Sequence, residues 1–325
     1  MKLSVFVTAV AANMAVINMA SALDATLPNY QAVGALTGEI KSVGSDTLNN
    51  EMTAWAEGFK AKYPSVTFEI EGKGSATAPA ALLAGASQFA PMSRPMTSEE
   101  TEAFEKKYGY KPAHFRVAID ALAVYVNKDN PIKCLSQIQI DRMFSSTRKG
   151  SGGRDISTWG DAGLTGDWAS TPITFYGRNA LSGTYEFFRT HVLYGGDYKP
   201  NVKQQIGSAT VVEGVAGDKF AIGYSGLGYK TEGVRALPVA AYDGGECYET
   251  SAEMVRAGKY PIARYLEIYV NRKPSEALDP LRAEFIKFIL SKDGQALTEK
   301  GGYYSINSDE RQVDLGRLGI SAASQ

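Results

Sequence analysis

The chain has 325 residues, of which 44% are hydrophobic and 21% charged, and its formal net charge is −1 at pH 7. This composition excludes a disordered chain and predicts a folded globular protein, and the length suggests two domains. The near-zero net charge excludes the broad basic surface of most nucleic-acid-binding proteins, so any anion site has to be local.

The first 22 residues, MKLSVFVTAVAANMAVINMASA, are typical of a cleaved signal peptide. Lys2 gives a short positive region, an apolar stretch follows, and Ala20-Ser21-Ala22 matches the small-x-small pattern before a cleavage point at Leu23. A membrane anchor is the weaker alternative, because serine, threonine and asparagine interrupt the stretch. No cysteine for lipid attachment lies near, and no later stretch is apolar enough to cross a bilayer. We therefore expect a soluble periplasmic or secreted protein.

Strands and helices are predicted to alternate along the chain. We predict strands at GEIKSV, SVTFEIEG, TPITFYGRN and FAIGYSGLGY, and helices at Thr47–Tyr63, TSEETEAFEKKYG, LSQIQIDRMFSS and in the closing segment LDPLRAEFIKFILSKDGQALTEKGGYY. Thr97 and Glu100 have the spacing of a capping box. These repeated strand–helix units predict α/β layers with largely parallel strands.

Two long apolar segments, FRVAIDALAVYVNKDNP and YPIARYLEIYVNRKP, predict that the chain crosses twice between two domains. The first is long for one strand and has Asp120 in its middle, which fits a chain that leaves one sheet and enters another. The first domain is then discontinuous. We predict that residues 23–119 and 266–325 form lobe 1 and that residues 120–265 form lobe 2.

Four segments place small hydroxyl residues, glycine or arginine where a strand gives way to a helix. They are Gly44-Ser45-Asp46-Thr47-Leu48, Gly72-Lys73-Gly74-Ser75, Ser93-Arg94, and Arg178 with Ser182-Gly183-Thr184. Helix N-termini attract anions, hydroxyls add neutral donors, and arginine adds a planar fork that matches phosphate oxygens. Each segment alone is more typical of a helix cap or a surface arginine. Together they predict one site for a tetrahedral oxyanion, since ligands of open α/β sheets bind at the carboxyl ends of strands.

These four segments, with ALAVYVNKDNP, STWGDAGLTG, AIGYSGLGY and YPIARYLEIYVNRKP, resemble in the same order those of the periplasmic phosphate-binding proteins of ABC importers (the PstS-like family), over about residues 38–306. The element Arg178-x-x-x-Ser182-Gly183-Thr184 is the most specific. The resemblance implies a type II solute-binding protein, with two mixed sheets flanked by helices and joined by two hinge strands. It also implies a monomer without cofactor or catalytic activity that delivers phosphate to an ABC permease in the inner membrane.

The resemblance further implies which residues touch the phosphate. From one lobe these are Thr47, the Leu48 amide and Ser75; from the other they are Arg178, Ser182, the Gly183 amide and Thr184.

The segment MSRPMT departs from well-known members, which carry an aspartate after the serine. That carboxylate accepts the proton-bearing oxygen of phosphate, and a site built for such a hydroxyl rejects analogues without it, such as sulfate. Arg94 takes this place here, as in the family's Ser-Arg variants, and is expected to add positive charge at the anion. The acceptor must then come from elsewhere. Asp46 is the first candidate and Asp120 the second, with a helix cap and a hinge residue as their ordinary alternatives.

Other functions fit less well. An exported phosphatase would need a nucleophile with a base or metals, but His114 and His191 lie outside these motifs. An exported scavenger, sensor or surface protein without a transporter would use the same pocket. The basic loop TRKGSGGRD lacks the Gly-Lys-Ser/Thr ending of a P-loop.

The chain has two cysteines, Cys134 and Cys247. In an oxidising compartment they could form one disulfide or remain two separate thiols, and the sequence leaves both open. Because the cysteines and histidines are scattered, no zinc site is indicated.

Overall fold

The computed structural model describes residues 23–321, so the predicted signal peptide at residues 1–22 lies outside the described residues. The strands are, in chain order, β1 (Gly38–Val43), β2 (Val66–Glu71), β3 (Phe89–Met92), β4 (Ala113–Ala121), β5 (Ala123–Asn127), β6 (Leu135–Ser136), β7 (Thr174–Arg178), β8 (Lys203–Gln205), β9 (Ala221–Ser225), β10 (Val234–Ala236), β11 (Val239–Ala240) and β12 (Ala263–Val270). The α-helices are α1 (Asn49–Lys62), α2 (Ala78–Ala84), α3 (Ser98–Tyr108), α4 (Gln137–Phe144), α5 (Gly183–His191), α6 (Ser208–Gly217), α7 (Ala252–Arg256), α8 (Pro280–Ile289), α9 (Lys292–Lys300) and α10 (Ser308–Arg317).

Two five-stranded sheets organise the chain. The first has the order β2-β1-β3-β12-β4 and the second the order β10-β5-β9-β7-β8. In the first sheet β1 pairs parallel with β2 and β3, whereas β12 pairs antiparallel with β3 and β4. In the second, β7 pairs parallel with β8 and β9, whereas β5 pairs antiparallel with β9 and β10. Both sheets are therefore mixed, as predicted, and largely parallel: in each sheet one strand runs opposite to the others, β12 in the first and β5 in the second.

The segment around Asp120 leaves one sheet and enters the other, as predicted. Strand β4 ends at Ala121 in the first sheet and β5 begins at Ala123 in the second. The returning segment, by contrast, lies in the first sheet as β12. Asp120 in β4 and Arg264 in β12 thus both belong to strands of the first sheet. The division of the chain into residues 23–119 plus 266–325 and residues 120–265 stays a prediction. Below, the first lobe denotes the first sheet with its helices, and the second lobe denotes the second sheet with its helices.

Each sheet has its own hydrophobic core, as layered α/β domains require. In the first lobe, helix α1 buries Trp55 and Phe59 on one face, and Phe59 packs edge-on against Phe285 of α8. In the second lobe, Phe144 of α4 packs against Phe175 of the sheet. Two separate cores leave a boundary between the lobes where polar groups can gather.

Local capping signals agree with the sequence. The Thr97 hydroxyl accepts a hydrogen bond from the Glu100 amide at 3.2 Å, and a Glu100 carboxylate oxygen accepts one from the Thr97 amide at 2.9 Å, so the predicted capping box of α3 is confirmed. The helix predicted over Thr47–Tyr63 is divided into a 3-10 turn at Asp46–Leu48 and α1. Thr47 lies in this tighter turn, four residues after β1, and is buried.

Cys134 and Cys247 form a disulfide, with Cα atoms 6.3 Å apart. It lies beside the small parallel pairing of β6 with β11 and closes a loop between residues 113 apart in sequence. A loop of this length corresponds to about 5 kcal/mol of loop-closure entropy removed from the unfolded chain. Of the two states that the sequence leaves open, the structure therefore has the bonded one. Among residues 23–321, no helix is both long and apolar enough for a bilayer crossing.

Glu51 of α1 is a buried carboxyl group whose ionisation opposes folding. The residue is 1% exposed, and its Oε2 has no hydrogen-bond partner in the described part of the chain. Burial raises the pKa of this carboxyl from 4.5 to about 8. Between these two values the folded protein holds a proton that the unfolded chain has lost, so the free energy of unfolding falls as the pH rises through this window.

We expect Glu51→Gln, whose side chain is neutral at every pH, to raise the free energy of unfolding at pH 8 by on the order of 3 kcal/mol. Near pH 5 the gain should be much smaller, because the native carboxyl is then protonated in the folded protein. Urea unfolding of both proteins at pH 5 and pH 8 measures the difference. If the free energies of unfolding of the two proteins differed by the same amount at pH 5 and pH 8, the raised pKa of Glu51 would be contradicted.

Candidate functional site

Six buried hydroxyl groups meet where the two lobes touch. They are those of Ser45, Thr47, Ser75, Ser93, Ser182 and Thr184, which we name the hydroxyl cluster, and none is more than 3% exposed. On the first lobe, Ser45 Oγ donates to Ser93 Oγ at 3.0 Å, and Ser93 Oγ lies 3.1 Å from Ser75 Oγ. Across the boundary, Thr47 Oγ1 and Thr184 Oγ1 are 2.9 Å apart. The structure thus brings together hydroxyls from four segments that are distant in sequence.

Main-chain hydrogen bonds fix the first-lobe half of the cluster. The turns that follow β1, β2 and β3 are joined because the Gly44 amide donates to Glu71 O at 2.9 Å and the Ser45 amide to Pro91 O at 2.8 Å. Gly44 is required here, since a Cβ on it would lie 2.2 Å from the Pro91 oxygen. The Leu48 amide, a sequence-predicted contact, donates to Ser45 O at 3.2 Å.

The N-terminus of α5 supplies the second-lobe half. Ser182 caps this helix, as its Oγ accepts a hydrogen bond from the Thr184 amide at 3.1 Å. Gly183 is packed against the first lobe, because a Cβ on it would lie 2.3 Å from Ser75 Oγ. The main chain also joins the lobes directly, with the Ala76 amide donating to Leu181 O at 3.1 Å.

Arg178 ends β7 beside this cluster and is 1% exposed. Its Nη1 donates to Ser208 Oγ at 2.6 Å and its Nη2 to Ile206 O at 2.9 Å, while Nη2 lies 3.1 Å from Asp46 Oδ2. Its Nε is buried and has no hydrogen-bond partner within residues 23–321. Burial lowers the pKa of this guanidinium below that of an ordinary arginine, and the nearby Asp46 carboxylate opposes the shift. Arg178 therefore brings a buried positive charge and one unused donor to the site.

A second guanidinium, that of Arg264, was missed by the sequence analysis. From β12 it donates to Ser93 O at 2.7 Å and to Thr184 Oγ1 at 2.8 Å, so it contacts both lobes. Its Nε and Nη2 also donate to Asp120 Oδ2 at 3.1 and 2.8 Å. Strand pairing places Arg264 opposite Asp120 in the sheet. An acid and a base, one in each of the two crossing segments, were the signal that could have found this pair.

Arg94 lies outside this arrangement. Its guanidinium donates to both carboxylate oxygens of Glu100, each at 2.7 Å, and to Pro95 O at 2.9 Å. In the described part of the chain it has no hydrogen bond to the hydroxyl cluster. The cause is Glu100 in the first turn of α3, which offers a bidentate partner six residues away. The second positive charge that the sequence analysis expected from Arg94 is supplied by Arg264.

The two candidate acceptor carboxylates are both engaged by the protein. Asp120 is fully buried; its Oδ1 accepts from the Leu227 amide at 3.0 Å, and its Oδ2 is held by Arg264. Asp46 Oδ2 accepts from the amide and the hydroxyl of Ser208 at 2.8 and 2.7 Å. Within the described residues, Asp46 Oδ1 takes part in no hydrogen bond, so Asp46 keeps one oxygen with open acceptor capacity.

Comparisons with known proteins identify the family and the fold of this chain. A family model described as PBP superfamily domain matches residues 29–293. The chain is 46% identical over 319 residues to a protein of Pseudomonas aeruginosa named phosphate-binding protein PstS, covering 98% of this chain and 99% of that one. It is 29% identical to a protein of the same name from Staphylococcus haemolyticus, over 82% of this chain and 81% of that one.

A solved structure from Clostridium perfringens, determined with bound phosphate, superposes with a TM-score of 0.69 at 28% identity and covers 83% of this chain and all of that one. An ABC-type phosphate transport receptor from Vibrio cholerae, 23% identical with a TM-score of 0.62 and 82% of this chain covered, shares the fold. The predicted two-lobed, type II periplasmic-binding-protein fold is confirmed. The chain belongs to the PBP superfamily and, within it, to the family of the phosphate-binding protein PstS.

Proposed function

We propose that this protein binds inorganic phosphate between its two lobes and delivers it to an ABC permease in the inner membrane. The observation that carries the proposal is the convergence of six buried hydroxyls with two buried guanidiniums, drawn from both lobes. Neutral donors at helix N-termini together with arginine forks suit a tetrahedral oxyanion. The PstS relatives and the phosphate-containing neighbour support phosphate as that anion.

In this proposal the first lobe contributes Thr47, the Leu48 amide and Ser75, and the second lobe contributes Arg178, Ser182, the Gly183 amide and Thr184. The buried, unpartnered Nε of Arg178 supports its role as a direct donor. Ser45, Ser93 and Arg264 hold these groups in place through the hydrogen bonds described above. Of the two carboxylates, Asp46 is the better acceptor for a proton-bearing oxygen, because only its Oδ1 is outside the protein's own bonds in the described part.

Capture would follow from closure of the two lobes about the strands that connect them, stabilised by contacts that the ligand makes to both sides. We infer that the mature protein begins at Leu23 and acts in the periplasm as a monomer. No catalysis is part of the proposal. Incubation with a chromogenic phosphate ester should leave the ester intact, and turnover would argue for a phosphatase.

Calorimetric titration of phosphate into the purified protein, with sulfate as competitor, tests the proposed function. We expect one phosphate per chain and little displacement by an equal concentration of sulfate, since an acceptor at the site favours a protonated anion. An absence of heat together with an unchanged melting temperature at millimolar phosphate would reject the proposal.

Closure should be very sensitive to the residue at position 183. We expect Gly183→Ala to weaken phosphate binding by about 10- to 100-fold, because the added Cβ would overlap Ser75 Oγ and overpacking of this kind costs about 1–3 kcal/mol. The melting temperature of the ligand-free protein should change little, since the lobes can separate to relieve the clash. Gly217→Ala, where a Cβ meets nothing within 4 Å, is the matched control. Equal affinities of the two variants would contradict the prediction.

A further inference from the structure

Asp46 of the first lobe is bonded chiefly to the second lobe. Its Oδ2 accepts hydrogen bonds from the amide and the hydroxyl of Ser208, the first residue of α6, and lies 3.1 Å from Arg178 Nη2. The residue before this helix, Gly207, offers no capping side chain. The carboxylate of Asp46 therefore caps a helix of the opposite lobe, where a negative charge is also favoured by the helix dipole.

The same carboxylate compensates the positive charge of Arg178. Within residues 23–321, Asp46 is the only acid that pairs with it; its other partners, Ser208 Oγ and Ile206 O, are neutral. An unpaired guanidinium is costly to bury. Arg178 can thus be buried with its charge compensated only while the two lobes are together.

The charges at the site balance without any ligand. The positive charges of Arg178 and Arg264 face the negative charges of Asp46 and Asp120. The main chain of Asp46 is also bonded to the second lobe, because the Tyr229 hydroxyl donates to Asp46 O at 2.7 Å. The closed arrangement therefore satisfies its own buried charges before an anion arrives.

We propose that Asp46 is a positioning residue that clasps the second lobe through Ser208 and Arg178. The clasp keeps a closed conformer populated in the ligand-free protein and slows the release of phosphate. The proposal concerns the site of the proposed function and rests on it for the release rate only. In this proposal Asp46 Oδ2 holds the two lobes together, whereas Oδ1, which has no hydrogen bond within the described chain, is left to accept the proton-bearing oxygen of phosphate.

The kinetic test compares Asp46→Asn and Ser208→Ala with Asp161→Asn, a control whose carboxylate accepts from Ser157 and Thr158 in the second lobe. Stopped-flow binding of phosphate should show dissociation about 10- to 100-fold faster for Asp46→Asn, as expected when charge-assisted hydrogen bonds are lost, with association within about threefold. Ser208→Ala should fall between Asp46→Asn and the control. An Asp46→Asn protein with an unchanged dissociation rate and only an altered phosphate-over-sulfate preference would overturn the clasp.

A distance measurement tests the clasp without phosphate. Spin labels at the exposed positions Lys73 and Lys203, one on each lobe, report their separation by double electron–electron resonance. We expect a short-distance population in the ligand-free protein that Asp46→Asn transfers to longer distances, and short distances in both proteins at saturating phosphate. Identical ligand-free distributions would overturn the clasp. If the unmodified protein binds no phosphate, the proposed function fails, while this ligand-free comparison still decides the clasp.

Discussion

Arg178→Lys is expected to weaken phosphate binding by about 100- to 1000-fold, the largest loss of affinity we foresee from one conservative substitution. Lysine keeps the charge but has no fork, so it cannot contact Ser208 Oγ, Ile206 O and the anion at the same time. Hydrogen bonds from a charged donor are worth about 1.5–3 kcal/mol each, and the loss of about 3–4 kcal/mol from one bond to the anion and the weakened bonds that orient it gives this range. The ammonium group would also remain near Asp46, which competes with phosphate for it.

Isothermal titration of phosphate into both proteins measures this effect. Arg189→Lys is a matched control, because Arg189 lies on α5 but pairs with Glu186 and is partly exposed. The control should bind as the unmodified protein does, and circular dichroism should show both variants folded. An Arg178→Lys protein that binds within threefold of the control would show that Arg178 does not contact the anion.

Arg264→Met is expected to lower the free energy of unfolding by about 3–5 kcal/mol, which is typical of removing one partner of a buried ion pair. The cause is Asp120, which is fully buried and would keep an uncompensated charge. The same variant should bind phosphate more weakly, since Thr184 Oγ1 and Ser93 O both lose the donor that orients them. Urea unfolding and calorimetric titration report the two effects separately.

The double variant Arg264→Met with Asp120→Asn distinguishes charge from packing. The asparagine side chain still offers an oxygen to the Leu227 amide but carries no charge, so the double variant should regain much of the stability lost by Arg264→Met. Its phosphate affinity should stay low, because the donors from residue 264 remain absent. Additive losses of stability in the double variant would mean that the pair is not coupled through charge.

The sequence was sufficient wherever the signal is local. The capping box at Thr97 and the apolar spacing that brings Trp55 and Phe59 to one face of α1 are set by residues within one or two helical turns. The hydroxyls at the ends of β1 and β7 could likewise be expected to converge, since the carboxyl ends of strands in α/β sheets gather at ligand sites.

Contacts between distant segments could not be deduced in the same way. The bond between Arg264 and Asp120 depends on the antiparallel register of β12 with β4, and the sequence does not state that register. Arg94 shows the converse. Ser93, the residue before it, belongs to the hydroxyl cluster, yet the Arg94 side chain binds Glu100. Whether an arginine at this position binds the anion or a neighbouring carboxylate depends on distances that are set by the fold.

The hydrogen bond from the Ala76 amide to Leu181 O joins the lobes through backbone atoms alone. Apart from proline, every residue at position 76 would keep this donor, so the link does not depend on the identity of a side chain. Hydrogen exchange at the Ala76 amide therefore reports the separation of the two lobes. Deuterium should enter at the Ala76 amide only when the lobes part, so the protection of that single amide would report the fraction of closed molecules without any change to the side chains.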